Sequence, residues 1–243
     1  MLKKLSLFLL LSVTGLSHAH MAWLQKGQDG HVDAYIGEPG EPESGEYLDL
    51  ISNAVVFYTE KKESATLHRE ADHFSTGLSA DSQVVRLYSG TVWEPWVMEY
   101  ADTLEFWKIV WWKQIFNSTS IPRQAGIVEA RYGLADSQAI LHYEIVPLNS
   151  NDYTQFQAVF KNEPLADQAI VLITPDQQEI ELSTDTNGQL SLTESIDQTG
   201  TYQLASYYVV DGEDKVAGND VQSIMYITTT TFDVAINSAP EQP

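Results

Sequence analysis

The sequence predicts an all-β fold arranged as two β-sandwich domains. Three observations predict it: between Tyr153 and Val234 short apolar segments alternate with polar positions, clusters of Gly, Pro, Asn and Asp separate them, and β-branched and aromatic residues fill them. That is the pattern of half-buried strands joined by tight turns. With 243 residues, 43% of them apolar, the chain is long enough for two cores.

Residues 1–19 stand apart from the fold. Lys3 and Lys4 precede a mostly apolar run, 5–16, and then Ser17-His18-Ala19 places small residues three and one before a cut. This is the layout of a cleaved secretory signal peptide. The run is shorter than the roughly 20 residues a spanning helix needs, so the mature chain is expected to begin at His20, to be periplasmic, and not to span the membrane.

The first domain, 20–148, has strand candidates at 32–36, 84–88, 92–97, 127–132 and 139–146, and Met21-Ala22-Trp23-Leu24 is apolar enough to form a first strand. Residues 37–45 form a Gly/Pro/Glu loop. Two stretches stay open: 44–60, and 101–116, where Asp102-Thr103 would cap a helix carrying Trp107, Trp111 and Trp112 but aromatic content suits a strand equally. The second domain, 149–236, has strands at 156–160, 170–173, 179–182, 190–192, 202–205 and 223–234. Its turns fall at Lys161-Asn162-Glu163-Pro164, Thr174-Pro175-Asp176, Asn187-Gly188 and Gln198-Thr199-Gly200. Asn187-Gly188 is the strongest hairpin signal. Residues 237–243 are expected to be a flexible tail.

Composition narrows the function. The formal charge is −21, and loss of Lys3 and Lys4 with the signal makes it −23. Nucleic acid is thereby excluded as a natural partner, as is anionic lipid. The chain has no cysteine, so a metal would be held by nitrogen and oxygen alone. A Gly-x-Ser-x-Gly elbow, a His-Glu-x-x-His pair and a phosphate-cradling glycine loop are all missing from the sequence. A binding protein is therefore expected rather than an enzyme, with no catalytic residue assigned.

Cleavage after Ala19 would give His20 a free α-amine beside its imidazole. Amine and δ nitrogen can chelate one ion, and a second imidazole would complete a histidine brace of the kind copper favours. A terminal residue frays by default; the apolar 21–24 segment argues that this one is held. The partner candidates are His31, which follows the Asp29-Gly30 turn and opens a strand, and His68 and His73, which flank Glu70 and Asp72. Their spacing of five suits neither a helical nor a strand face, and a solvated charged loop explains the segment as well. His142, flanked by Leu141 and Tyr143, is expected to be a hydrogen-bonded structural residue. Glu38, Glu41, Glu43 and Glu46 crowd one loop without any EF-hand spacing and are read as solvated. The tryptophans, gathered in the first domain, are read as core before platform.

Several stretches, in order, resemble domain-of-unknown-function family 4198, periplasmic proteins related to nickel and cobalt uptake components. They are Ala19-His20-Met21-Ala22-Trp23-Leu24, Ala34-Tyr35-Ile36-Gly37-Glu38, His142-Tyr143-Glu144-Ile145-Val146-Pro147-Leu148, Pro164-Leu165-Ala166, Thr184-Asp185-Thr186-Asn187-Gly188 and Gly200-Thr201-Tyr202. The resemblance implies that the second domain is immunoglobulin-like, akin to the carboxypeptidase-regulatory module. It also implies a metal-handling role with His20 as the carried-over ligand. Relatives carry histidines in their last strands where this chain has Tyr207-Tyr208 and Met225-Tyr226.

The combined expectation is a periplasmic protein that binds nickel, cobalt or copper through His20, His31, His68 and His73 and serves a membrane-bound uptake system or outer-membrane receptor. The rival expectation is a non-catalytic adhesion or assembly module of the envelope. A third is a copper-dependent oxidative enzyme built on the N-terminal brace.

Overall fold

The structure, a computed structural model, describes residues 21–38, 40–58, 64–81, 84–93, 124–216 and 218–236. The expected signal, His20, the 101–116 stretch and the expected tail lie outside them. Within them the fold is all-β, as expected. The strands are β1 (Met21–Lys26), β2 (His31–Glu38), β3 (Glu41–Pro42), β4 (Val55–Tyr58), β5 (Ser64–Ala65), β6 (His68–Arg69), β7 (Phe74–Ser79), β8 (Val85–Trp93) and β9 (Gln124–Tyr132). They continue as β10 (Tyr143–Pro147), β11 (Gln155–Phe160), β12 (Glu163–Pro164), β13 (Ala169–Ile173), β14 (Glu179–Ser183), β15 (Gln189–Ser191), β16 (Gly200–Val216) and β17 (Asn219–Val234). Helix is confined to one 3-10 turn, Tyr47–Ile51, among the described residues.

These strands form three sheets. A first sheet runs β1-β2-β7-β6, with β3 on β2; a second pairs β10, β11 and β12, with β15 on β11; the third has the order β14-β13-β16-β17-β9-β8-β4-β5. That eight-stranded sheet takes strands from both sides of Leu148. Its centre is the parallel pair β17 and β9, which matches Ser223 to Gln124 and Thr231 to Tyr132.

The large sheet is the middle layer, and residue parity shows it. Along β9, Ala125 and Ile127 enter one core, whereas Val128, Ala130 and Tyr132 enter the other. Along β17, Ile224, Tyr226 and Phe232 face the β10/β11 sheet while Met225 and Ile227 face β1 and β2. A strand covered on both faces has no solvent side, which is why β17 lacks the polar alternation of a half-exposed strand.

The threonine run Thr228-Thr229-Thr230-Thr231 serves this double burial. All four are buried. The hydroxyl of Thr229 donates to the Ala22 carbonyl of β1 at 2.8 Å, and that of Thr230 donates to the Ile145 carbonyl of β10 at 2.7 Å. Two consecutive threonines thus tie the middle strand to the edge strand of each outer sheet. A valine there would fit sterically and leave both carbonyls unserved.

Most strand expectations lie within a strand, and the departures have local causes. Residues 139–142 are not strand, because buried carboxylates capture their N–H groups, as described below. The open stretch 44–60 resolves into the 3-10 turn and β4. The tight turn at Asn187-Gly188 forms, with Gly188 at φ +73° and the Asp185 carboxylate accepting from the N–H groups of Asn187 and Gln189. It does not make the expected hairpin: β14 pairs with β13 and β15 with β11, so the turn carries the chain between sheets. A true two-residue hairpin sits at Lys161-Asn162, between β11 and β12, where both residues take positive φ.

Candidate functional site

Three constellations of chemically capable groups occur in the described residues. The first is a buried ionic seam between the large sheet and β10. Arg86 on β8, Arg131 on β9 and Glu144 on β10 are fully buried. Glu144 accepts from Arg86 Nε at 2.7 Å and Arg131 Nη1 at 2.9 Å, and its other oxygen accepts from the N–H groups of Ile140 and Leu141. Asp136 accepts from both guanidinium groups. Burial pulls Arg131 below its ordinary value, and Glu144 opposes the shift. Every strong donor here points at a protein acceptor in a closed space, so the seam's role is structural.

Beside it, the buried Glu129 accepts from His142 Nδ1 at 2.9 Å and from the backbone N–H groups of His142 and Tyr143. The imidazole lies between Tyr88 and Tyr226, each ring centre 5.6 Å away. His142 is thus the hydrogen-bonded structural residue its surroundings suggested. The Glu129 hydrogen bond raises its pKa, against desolvation. Its contribution to stability is therefore complete below about pH 6.5, the unfolded value, and disappears as pH rises through the raised folded value. Thermal unfolding at about pH 6 and about pH 9 should show a loss of Tm across this window that shrinks in His142→Gln; parallel profiles would show that the pair is not coupled to folding.

The second constellation holds the expected metal residues. His31, His68 and His73 all lie on or beside the β1/β2/β7/β6 sheet, but they do not gather. His31 turns back to Asp29, with Nδ1 2.9 Å from its carboxylate, and both side chains are exposed. His68 is exposed on β6, opposite Ser75. His73 lies in the β6–β7 turn, closed by the Glu70 N–H donating to the His73 carbonyl at 2.9 Å. Its Nδ1 is 2.9 Å from the Asp72 carboxylate and its Nε2 is 3.9 Å from Asp33 on β2. Tyr35 lies tilted by 30° against the ring at 5.3 Å and is itself stacked on Trp23 at 5.3 Å and 12°. Asp33 is buried, and desolvation pushes its carboxyl up despite the nearby His73. Among the described residues no three His, Asp or Glu side chains converge as a complete metal site. His20 lies outside those residues.

The third is a cleft of about 400 Å³ that the sequence did not signal. The sheet of β1 and β2 ends at the edge strand β1, over β17, while the large sheet continues beneath it to β16 and β13. The step between the two layers leaves the cleft. Trp23, Gln25 and Tyr35 wall it from above, and Ile173, Gln203 and Thr231 from below. Gly40 closes one rim against the β13–β14 turn: a Cβ there would meet Gln177 Oε1 at 2.4 Å. None of the described residues that line the cleft carries a charge. Trp23 is core, as read; the side chain of Trp93 and the positions of Trp96, Trp107, Trp111 and Trp112 lie outside the description.

Fold and sites together define a layered all-β protein with a histidine–carboxylate pair on an outer sheet and an uncharged interlayer cleft. Among the described residues no helix is long and apolar enough to cross a membrane. Comparison with protein-family models, with curated proteins and with solved structures returned no match.

Proposed function

We propose that this is a periplasmic, non-catalytic transition-metal-binding protein, for nickel, cobalt or copper, that serves a metal-uptake system. The supporting observation is the relation of His73 to Asp33. A carboxylate only accepts, so in the neutral imidazole the hydrogen bond to Asp72 places the ring proton on Nδ1 and leaves the Nε2 lone pair toward Asp33. Two acceptors then face each other at 3.9 Å, one of them a buried carboxylate. That separation is too long for a hydrogen bond.

Bonds of about 2.1 Å from nitrogen and oxygen to one ion would span at most about 4.2 Å, so the pair fits a shared cation with little movement. Asp72 supplies the outer hydrogen bond that orients a ligating imidazole. Two ligands do not hold a transition metal tightly, and His20 is the proposed further ligand through its imidazole, folding back from Met21, which pairs with Gly37 four positions along β2 from Asp33. In this reading His31 and His68 are not ligands.

Native mass spectrometry of the mature chain with Ni²⁺, Co²⁺ or Cu²⁺ is expected to show one bound ion. His73→Ala and His20→Ala should each weaken it by at least about 100-fold, above the range for losing an outer partner. His31→Ala and His68→Ala should bind as the parent does. A folded mature chain that holds no stoichiometric ion would end this reading.

A further inference from the structure

We propose that the interlayer cleft is a binding site for a small neutral carbohydrate. Three described side-chain atoms are buried without a hydrogen-bond partner, and two of them, Gln203 Nε2 and Thr231 Oγ1, belong to residues that line this cleft. Gln203 is 6% exposed and Thr231 1%. They are paired neighbours on β16 and β17, so the two residues lie side by side in its lining.

Buried polar groups nearly always find partners, because an unmade hydrogen bond costs free energy that an apolar side chain of the same shape would avoid. The neighbouring positions show that partners are obtainable. Thr229 and Thr230, on the same strand, are satisfied by backbone carbonyls, and Thr201, also lining the cleft, donates to Asp233 at 2.6 Å. Of the three exceptions, Thr228 Oγ1 lies away from the cleft, and the other two belong to residues that line it.

The lining sets the ligand's class. In a chain with 34 acidic residues, the described walls carry no charge, so neither a cation nor an anion finds a counter-charge there. An amide and a hydroxyl both suit a partner that donates and accepts, which is the character of a sugar hydroxyl. Trp23 and Tyr35 add aromatic edges to the lining. The volume is within the range of small-molecule sites. The inference does not rest on the metal reading, and its test is run in EDTA.

The test is saturation-transfer NMR on the full mature chain with D-glucose, D-galactose, D-mannose, N-acetyl-D-glucosamine and maltose as probes, and D-glucuronate as the charged comparator. At least one neutral sugar should bind saturably. Its affinity should fall at least about tenfold in Gln203→Leu and in Thr231→Val. D-Glucuronate should bind at least about tenfold more weakly than D-glucose. Both variants keep side-chain volume and remove an unserved group, so their Tm should equal or exceed that of the parent. No saturable neutral sugar, variants that bind as the parent does, or glucuronate binding as well as glucose would each overturn the proposal.

Discussion

Glu144→Leu should destabilise the protein by about 3–5 kcal/mol, the cost of breaking a buried ion pair from one side. The substitution leaves Arg86 and Arg131 buried with Asp136 as the counter-charge seen among the described residues, and Asp136 is itself 30% exposed. It also strands the N–H groups of Ile140 and Leu141, which have Glu144 as acceptor. Glu144→Gln keeps one acceptor oxygen and the volume, and its loss should be intermediate. Replacing the three fully buried ions, in Arg86→Met/Arg131→Met/Glu144→Leu, should recover part of the stability, because the charge left behind, Asp136, is partly exposed to water. Urea unfolding followed by circular dichroism gives the four values. A Glu144→Leu loss below about 1 kcal/mol would mean that the seam is hydrated and its charges are not desolvated.

Phe232→Ala is the second large effect, expected at about 3–5 kcal/mol from lost transfer energy and a cavity. Phe232 is 1% exposed and lies between Phe156 at 5.2 Å and Tyr202 at 6.0 Å, three rings drawn from β17, β11 and β16. Those strands belong to two sheets, so the surroundings cannot close the void without shifting one layer on another. Ile236→Ala, just beyond the same strand at an exposed position, should change stability by no more than about 0.5 kcal/mol. Chemical denaturation of the pair isolates the effect of burial. Equal losses would show that the β17 end is not part of the core.

The contrast between these positions marks how far the sequence could be read. Strands such as β11, β13 and β14 were legible because alternation and turn residues act over neighbouring positions. Lys161-Asn162 and Asp185 to Gln189 form turns through bonds within a few residues. His142, between Leu141 and Tyr143, was read as hydrogen-bonded, and it bonds Glu129 on β9, 13 residues away.

Arg86, Arg131 and Glu144 were not legible. In sequence each looks like a surface charge, and only the meeting of β8, β9 and β10 removes all three from water. The cleft was hidden too. Gln203 and Thr231 look like ordinary strand residues until β16 and β17 pair beneath the edge of another sheet. Of the histidines, the sequence offered four candidates; a contact two residues away turns His31 back to Asp29, and tertiary structure brings His73 to Asp33.

By itself the sequence determined the β class, the approximate strand list and the turn positions, because hydrophobic periodicity and backbone preference are local quantities. The tertiary structure decided that β17 runs parallel to β9, that one eight-stranded sheet draws strands from both sides of Leu148, and that its threonines face two layers at once. Such pairings join residues about a hundred positions apart, and they depend on which apolar faces meet and on which backbone groups are left without water.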